Sequence, residues 1–217
     1  MATFDAHPLL AGTNGAVPHA PGPVGELIES TTTDFIAQAC QLDAAPPFGA
    51  FVQVAGDDGS TVYGVVAHVQ TAGIDPGSRP IMRGYEDVRD DLIYAENPDL
   101  QHVLRTTFRS LVVGFRDGGA YRQVLPARPP RLHYSVSMAR PAEVRAFTGV
   151  GLDYLATLLA CADVAADELI AANVRLTAAE RAEGALFVRQ AGRELAQLLH
   201  ADYARLAAIV RRIVAGA

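Results

Sequence analysis

The 217-residue chain contains no lysine, and all 18 of its basic residues are arginine. A Walker A loop needs a lysine that contacts the nucleotide phosphates, so the chain cannot form a P-loop ATPase site by itself. A catalytic lysine that forms a Schiff base is excluded for the same reason. The absence of lysine therefore removes two common classes of enzyme site.

Cysteine is also scarce, with only Cys40 and Cys161, which lie far apart in the sequence. Neither belongs to a CxxC pair, which argues against a zinc site and against a thioredoxin-type redox centre. We interpret each cysteine as a small buried hydrophobic residue. A disulfide between them is not favoured in a reducing compartment.

Long apolar runs are missing from the sequence. No run reaches the roughly 18 to 20 residues that a membrane-spanning helix requires. The N-terminus lacks the basic start of a secretory signal. The sequence therefore predicts a cytoplasmic protein that does not contact the membrane.

Recognisable catalytic and metal-binding patterns are absent as well. No serine lies in a GxSxG elbow, and the histidines are scattered along the chain. An acidic cluster contains Glu86, Asp87, Asp90 and Asp91, but it lacks the ligand spacing of a known cation-binding loop. We interpret the cluster as a solvated surface, and we predict a non-enzyme with no catalytic residue, no cofactor and no metal site.

Charge is distributed unevenly along the sequence. Residues 1–104 carry a net charge of −11, residues 105–149 carry +6, and residues 150–217 carry −1. A basic segment is a candidate contact for nucleic acid or for a protein partner. The alternative, which we favour, is that its arginines pair with the acidic residues 85–99 of this chain or of a neighbour. The candidate contact residues are Arg105, Arg109, Arg116, Arg122, Arg128 and Arg131.

Patterns typical of β-strands dominate residues 23–149, which follow a predicted flexible arm of residues 1–22. One face of a strand is predicted to hold Thr61, Tyr63, Val65, Ala67 and Val69, joined through a tight turn at residue 59 to the strand before it. A second hairpin is predicted within residues 111–125. Six or seven short strands with turns between them predict a small antiparallel β-barrel.

Helical patterns begin at Pro141, and we assign residues 150–217 to an α-helical C-terminal region. Asp163 is a predicted N-cap, and the capping-box sequence of Thr177 and Glu180 predicts a last helix over residues 177–214. Apolar residues recur along that helix with 4-3 spacing, close to a heptad seam. Association with another helix and packing within the chain explain this spacing equally well. The candidate seam residues are Leu195, Leu199, Leu206, Ile209 and Ile213.

The order of short motifs across residues 23–175 resembles the HAS-barrel. This small β-barrel occurs at the N-terminus of HerA-type DNA-translocating ATPases and, more distantly, of F-type ATP synthase subunits. The motifs that carry the resemblance are Gly25-Glu26-Leu27-Ile28, the Ser/Thr corner before Phe35, the strand with Gly49 and Val52, and residues 62–66 and 167–173. In that family the barrel sits on a hexameric motor ring, supports assembly and can dock a partner nuclease. The barrel itself is not catalytic. No motor domain follows in this sequence, which leaves two alternatives: a stand-alone barrel, which we favour, or a piece of a longer chain from which the ATPase has been removed.

Two functional hypotheses lead, and an uncharacterised enzyme ranks third behind them. The first is a non-catalytic assembly or adaptor protein that contacts a HerA-like ring ATPase or a nuclease in DNA processing or repair, and that forms homo-oligomers. The second is a nucleic-acid-binding barrel that uses the arginines of residues 105–145. Barrels that bind single strands usually present aromatic side chains for base stacking, and we favour the protein partner over nucleic acid.

Overall fold

The computed structural model describes residues 22–215 except residue 76, residues 78–79 and residues 84–88. The predicted N-terminal arm, residues 1–22, therefore lies outside the described residues apart from Gly22. Glu86 and Asp87 of the acidic cluster lie outside them as well.

An antiparallel sheet forms the first part of the fold. Its strands are β1 (Gly25–Ser30), β2 (Asp34–Ala39), β3 (Phe51–Ala55), β4 (Thr61–Gly73), β5 (Leu104–Asp117), β6 (Ala120–Arg122) and β7 (Ser135–Met138). The strand order is β2-β1-β7-β3-β4-β5-β6, and β2 also pairs with β5. Six strands therefore close into a barrel, and β6 extends the sheet from β5. This closed antiparallel barrel confirms the predicted barrel architecture.

Helices form most of the remaining structure, which confirms the predicted helical C-terminal region. They are α1 (Ile93–Glu96), α2 (Leu100–Val103), α3 (Pro141–Gly149), α4 (Tyr154–Ala160), α5 (Ala166–Ala179), α6 (Gly184–Leu198) and α7 (Tyr203–Ala215). No helix in the described part of the chain is both long enough and apolar enough to cross a membrane.

The barrel wall separates two hydrophobic cores. Alternate residues of a strand point to opposite faces, so Val62 and Val66 of β4 fill the barrel interior while Tyr63 and Val65 point outward. The outward residues pack against the helices in a second, larger core. The interior core consists of Leu27, Phe35, Ala37, Ala39, Val52, Val54, Val62, Val66, Phe108, Val112 and Val136.

The prediction that five residues share one face of β4 is only partly right. Tyr63, Val65 and Ala67 all join the outer core. The register with β5 then shifts between Val66 and His68, and Val69 is exposed. A bulge at this point changes which side chains face outward.

The second predicted hairpin exists, but its return strand is shorter than expected. β6 ends at Arg122 because the next residue, Gln123, leaves the sheet and binds the helical region. Its amide nitrogen donates to the carbonyls of Phe147 at 2.9 Å and Gly151 at 2.8 Å. Its amide oxygen accepts from the backbone of Tyr154 at 3.0 Å.

Two predicted helix starts are wrong. Asp163 does not cap α5, which begins after Ala165. Thr177 lies inside α5 with its side chain buried, and Glu180 is the C-cap residue of that helix. The capping-box sequence is therefore overridden, because Thr177 faces the core and the helix continues through it.

The predicted single helix over residues 177–214 is divided into α6 and α7. Asp202 marks the start of α7, where its carboxylate accepts a hydrogen bond from the backbone of Arg205 at 3.0 Å. An aspartate at this position is a favourable N-cap. The chain therefore folds back on itself at residues 199–202.

The candidate seam residues pack within the chain. Leu195, Leu199, Ile209 and Ile213 are buried in the core that the helices share with the barrel wall, and Leu206 packs against it. The 4-3 spacing is thus explained by packing of α6 and α7 within the chain, and not by one long exposed stripe.

Candidate functional site

The six candidate arginines are spread over the barrel. Arg105, Arg109 and Arg116 all lie on β5, where the first and last are about 36 Å apart at the rise of an extended strand. Arg122 ends β6. Arg128 and Arg131 lie in the segment between β6 and β7, so the predicted basic segment does not become one compact patch.

Three of these arginines have polar partners that sequence analysis did not identify. Arg109 binds Asp34 at 2.5 Å and Asp163 at 2.6 Å. The other two contacts join Arg131 to Asp57 at 3.1 Å and Arg116 to the Thr61 hydroxyl at 3.2 Å. These partners all lie outside residues 85–99, so the predicted pairing with the acidic run is not what holds these side chains.

Arg105 differs from its neighbours on β5. It forms no hydrogen bond or ion pair with any residue that the structure describes, although its side chain is only partly exposed. Of the acidic run, Asp99 pairs with Arg83 at 2.9 Å. Arg105 therefore remains available to an acidic group from outside the described chain.

The aromatic residues near the arginines do not form a platform for base stacking. Phe108 is fully buried inside the barrel, and Phe115 and Tyr134 pack against that interior core. Tyr121 packs against the outer core, where its ring centroid lies 6.4 Å from that of Phe147. This placement weakens the nucleic-acid hypothesis, which requires outward-facing rings.

A groove of about 630 Å³ lies between β4 and the linker that joins α4 to α5. Its walls combine apolar side chains with His68 and with an ion-pair cluster at the side. The lining residues are Phe48, Ala67, His68, Val69, Arg109, Asp163, Val164 and Ala165. The groove combines apolar surface with a few oriented polar groups, as protein-binding sites commonly do.

Arg109 organises the polar side of the groove by bridging two aspartates. Burial acts to raise the pKa of Asp34, but hydrogen bonds from Thr31 and Arg109 outweigh it and hold that pKa below its ordinary value. A hydrogen bond from Cys161, followed by one from Arg109, lowers the pKa of Asp163. Both carboxylates are therefore charged at neutral pH, and the Asp163 side chain is 61% exposed.

Cys161 supports this cluster as a thiol. Its sulfur donates to the Asp163 carboxylate at 2.8 Å, and burial together with that hydrogen bond raises the pKa of Cys161. A reactive cysteine needs a lowered pKa, so this environment opposes a nucleophilic role. Cys40 is exposed, contrary to the prediction that both cysteines are buried.

The wall of the groove along β4 is a strand edge. Val66 makes the last backbone contacts on the β3 side, donating to Ala50 at 3.0 Å and accepting from Gly49 at 2.8 Å. After the irregularity at Ala67, residues 68–73 pair with β5 on one side. On the other side, their backbone has no hydrogen-bond partner among the described residues.

α5 contacts the chain just before β3 begins. Gly49 has a φ of +87°, and a Cβ atom there would lie 2.8 Å from the Asn173 backbone nitrogen, so glycine permits the helix to approach. The Asn173 amide donates to the Gly49 carbonyl at 2.9 Å. The Asn173 oxygen accepts from the Tyr154 hydroxyl at 2.8 Å. This buried network fixes the point at which the edge of β4 opens, and sequence analysis did not identify Asn173 or Tyr154 as part of it.

The described residues contain no group of three or more His, Cys, Asp or Glu side chains arranged to hold a metal ion. Comparison of the chain with models of known protein families finds no match, and comparison with curated proteins finds none either. The function is therefore argued from the groove and from the open edge of β4.

Proposed function

We propose that the chain is a non-catalytic assembly or adaptor protein that binds other proteins through its barrel. The observation that carries the proposal is the open edge of β4 beside the groove. Exposed strand edges offer backbone hydrogen bonds to another chain, and the groove adds an apolar surface next to them. The ion pair of Arg109 with Asp163 lies at the side of this surface, where Asp163 stays 61% exposed.

The likeness to HAS-barrels supports a more specific proposal. A closed antiparallel barrel followed by packed helices is the architecture that this resemblance implies. We therefore infer a HAS-like module that contacts a HerA-like ring ATPase or its nuclease in DNA processing or repair. The cytoplasmic location and the absence of catalytic activity are part of this proposal.

The test mixes the purified chain with a HerA-type ATPase and its partner nuclease from the same source. Size-exclusion chromatography with light scattering should show a stable complex with one of them. A Val164→Asp variant should weaken that complex, because it places a carboxylate on an apolar part of the groove wall. Ala127→Asp is the matched control, since that exposed residue lies between β6 and β7 and does not line this groove. Failure of the chain to bind either protein would contradict the specific proposal.

Nucleic-acid binding is the second candidate, and Arg105, Arg122 and Arg128 favour it, since each is exposed or partly exposed. Titration with single- and double-stranded DNA at several salt concentrations separates the two functions. We expect weak binding with a shallow salt dependence, because the arginines do not form one patch. Tight binding with a steep salt slope would establish the nucleic-acid function instead.

A further inference from the structure

The open edge of β4 lacks the usual protection of an exposed strand. Native edges are commonly guarded by charged side chains or proline. Residues 67–73 have the sequence AHVQTAG, which contains neither proline nor any charged residue when the histidine is neutral. His68, Val69, Gln70 and Thr71 are nevertheless exposed. A bulge at the start of this segment is a protective feature of the kind that guards natural strand edges.

The direction of the backbone groups follows from the ladder. The backbone N–H and C=O of Val66 bond to the β3 side. The register shift after Val66 changes which of the following residues direct their backbone groups to that side. At the far end, Ile74 donates to Val103 at 2.9 Å, on the β5 side. Since successive residues of an antiparallel strand alternate in direction, the N–H and C=O groups of Val69, Thr71 and Gly73 point to the open side.

We propose that this edge pairs with the same edge of a second copy of the chain, in antiparallel orientation about a two-fold axis at Thr71. Val69 then lies opposite Gly73 of the second copy, and the two Thr71 residues face each other. Residues whose backbone groups point outward are thereby matched with one another. The inference deepens the proposed assembly function, on which it rests, by naming the first partner that the edge takes.

Charge favours a second copy as the occupant. Arg105 and Arg109 lie four residues apart on β5, so their side chains project from the same face. Asp163 binds Arg109 on that face. Arg105 pairs with Ala72 near the end of the open edge and has no bond to any described residue, whereas Asp163 lies beside Arg109, which pairs with His68 near the start of that edge, and is 61% exposed. Antiparallel pairing brings the end of one open edge beside the start of the other, and therefore brings Arg105 towards Asp163 of the second copy.

The backbone part of the proposal is tested by Val69→Pro, with Val69→Ala as its control. Proline removes the N–H that points to the open side and leaves the bonds between β4 and β5 intact, because those come from the alternating residues. Sedimentation velocity of the full chain over a concentration series should show a dimer for the wild type and for Val69→Ala. Val69→Pro should be monomeric, with an unchanged circular dichroism spectrum.

The charge part is tested by exchanging the two residues. Arg105→Glu and Asp163→Arg should each weaken the dimer roughly tenfold, since each removes two symmetry-related ion pairs. The double variant Arg105→Glu/Asp163→Arg should recover most of the affinity, because the pairs form again with reversed sign. If the single changes weakened the dimer only by disturbing the fold, the double variant would not recover the affinity.

A monomeric wild type overturns the inference, and so does a dimer that neither Val69→Pro nor the single charge variants weaken. The proposed adaptor function is judged separately by the complex with the ATPase or nuclease. If that complex forms with a monomeric chain, the assembly function stands and the edge-to-edge pairing fails. If Val69→Pro is unfolded, the folded charge variants decide the inference alone.

Discussion

Replacement of Asn173 by alanine should destabilise the packing of α5 on the barrel. The Asn173 side chain is fully buried, and it joins the Gly49 carbonyl to the Tyr154 hydroxyl through bonds of 2.9 and 2.8 Å. Alanine leaves that carbonyl and that hydroxyl without partners in a site that is closed to water. The change therefore removes the link between the barrel and the first long helix that packs on it.

The magnitude follows from the number of polar groups left unpaired. A buried donor or acceptor without a partner costs about 1–3 kcal/mol, so two of them with partial relaxation lower the free energy of unfolding by about 3 kcal/mol. Tyr154→Phe removes only the hydroxyl and leaves one Asn173 lone pair unmatched, which costs about 1.5 kcal/mol. In the double variant the unpaired hydroxyl no longer exists, so the combined loss should be about 1 kcal/mol smaller than the sum.

The assay is urea unfolding followed by far-ultraviolet circular dichroism, because the chain has no tryptophan to report by fluorescence. Free energies are obtained by linear extrapolation for the wild type, both single variants and the double variant. A loss below about 1 kcal/mol for Asn173→Ala, or additivity of the two changes within about 0.3 kcal/mol, would refute the assignment of this network.

Three further outcomes are expected. Gly49→Ala should cost about 3 kcal/mol, since positive φ and collision with α5 combine, whereas Gly59→Ala, with open space around its φ of +81°, should cost about 1 kcal/mol in the same urea assay. Burial acts to raise the pKa of Asp34, but hydrogen bonds outweigh burial and hold the pKa below its ordinary value. The Asp34 carboxylate therefore stabilises the fold above about pH 4, and this contribution is lost as pH falls through the lowered pKa. The stability difference between wild type and Asp34→Asn should accordingly be larger at neutral than at strongly acidic pH, and an unchanged difference would contradict this. A thiolate-selective reagent should modify the exposed Cys40 faster than Cys161, whose pKa burial raises, with the two rates converging in denaturant.

The barrel was predictable because its signals are local. The apolar residues at every second position from Tyr63 to Ala67 indicate a strand, and Gly59 occupies a turn with a φ of +81°. Such patterns follow from the two-residue repeat of a strand. The closure of six strands through the pairing of β2 with β5 then satisfies the edges that these strands would otherwise expose.

The helix boundaries were harder to predict because tertiary packing overrides local signals. Thr177 and Glu180 have the spacing of a capping box, yet burial of Thr177 keeps it inside α5. The break between α6 and α7 did have a local signal, since Asp202 interrupts the apolar stripe and accepts a hydrogen bond at the start of α7. A polar capping residue within an amphipathic pattern is better interpreted as a helix start than as a defect in the stripe.

The groove was not predictable from the sequence. It depends on where β3 stops pairing with β4, and that point is set by the bond between Asn173 and Gly49, which are 124 residues apart. The charges of the basic segment were visible, but the partners of Arg109 come from β2 and from the α4–α5 linker. Neither distance along the chain nor composition identifies such contacts.

The shared wall of the barrel has a consequence for how the molecule unfolds. Val65 and Val66 are neighbours in β4, yet each supports a different hydrophobic core. Loss of the helices would expose Phe51 and Tyr63 to water, and loss of the strands would remove the surface on which the helices fold. The two parts should therefore melt together in a single calorimetric transition, and an isolated barrel fragment should aggregate rather than fold.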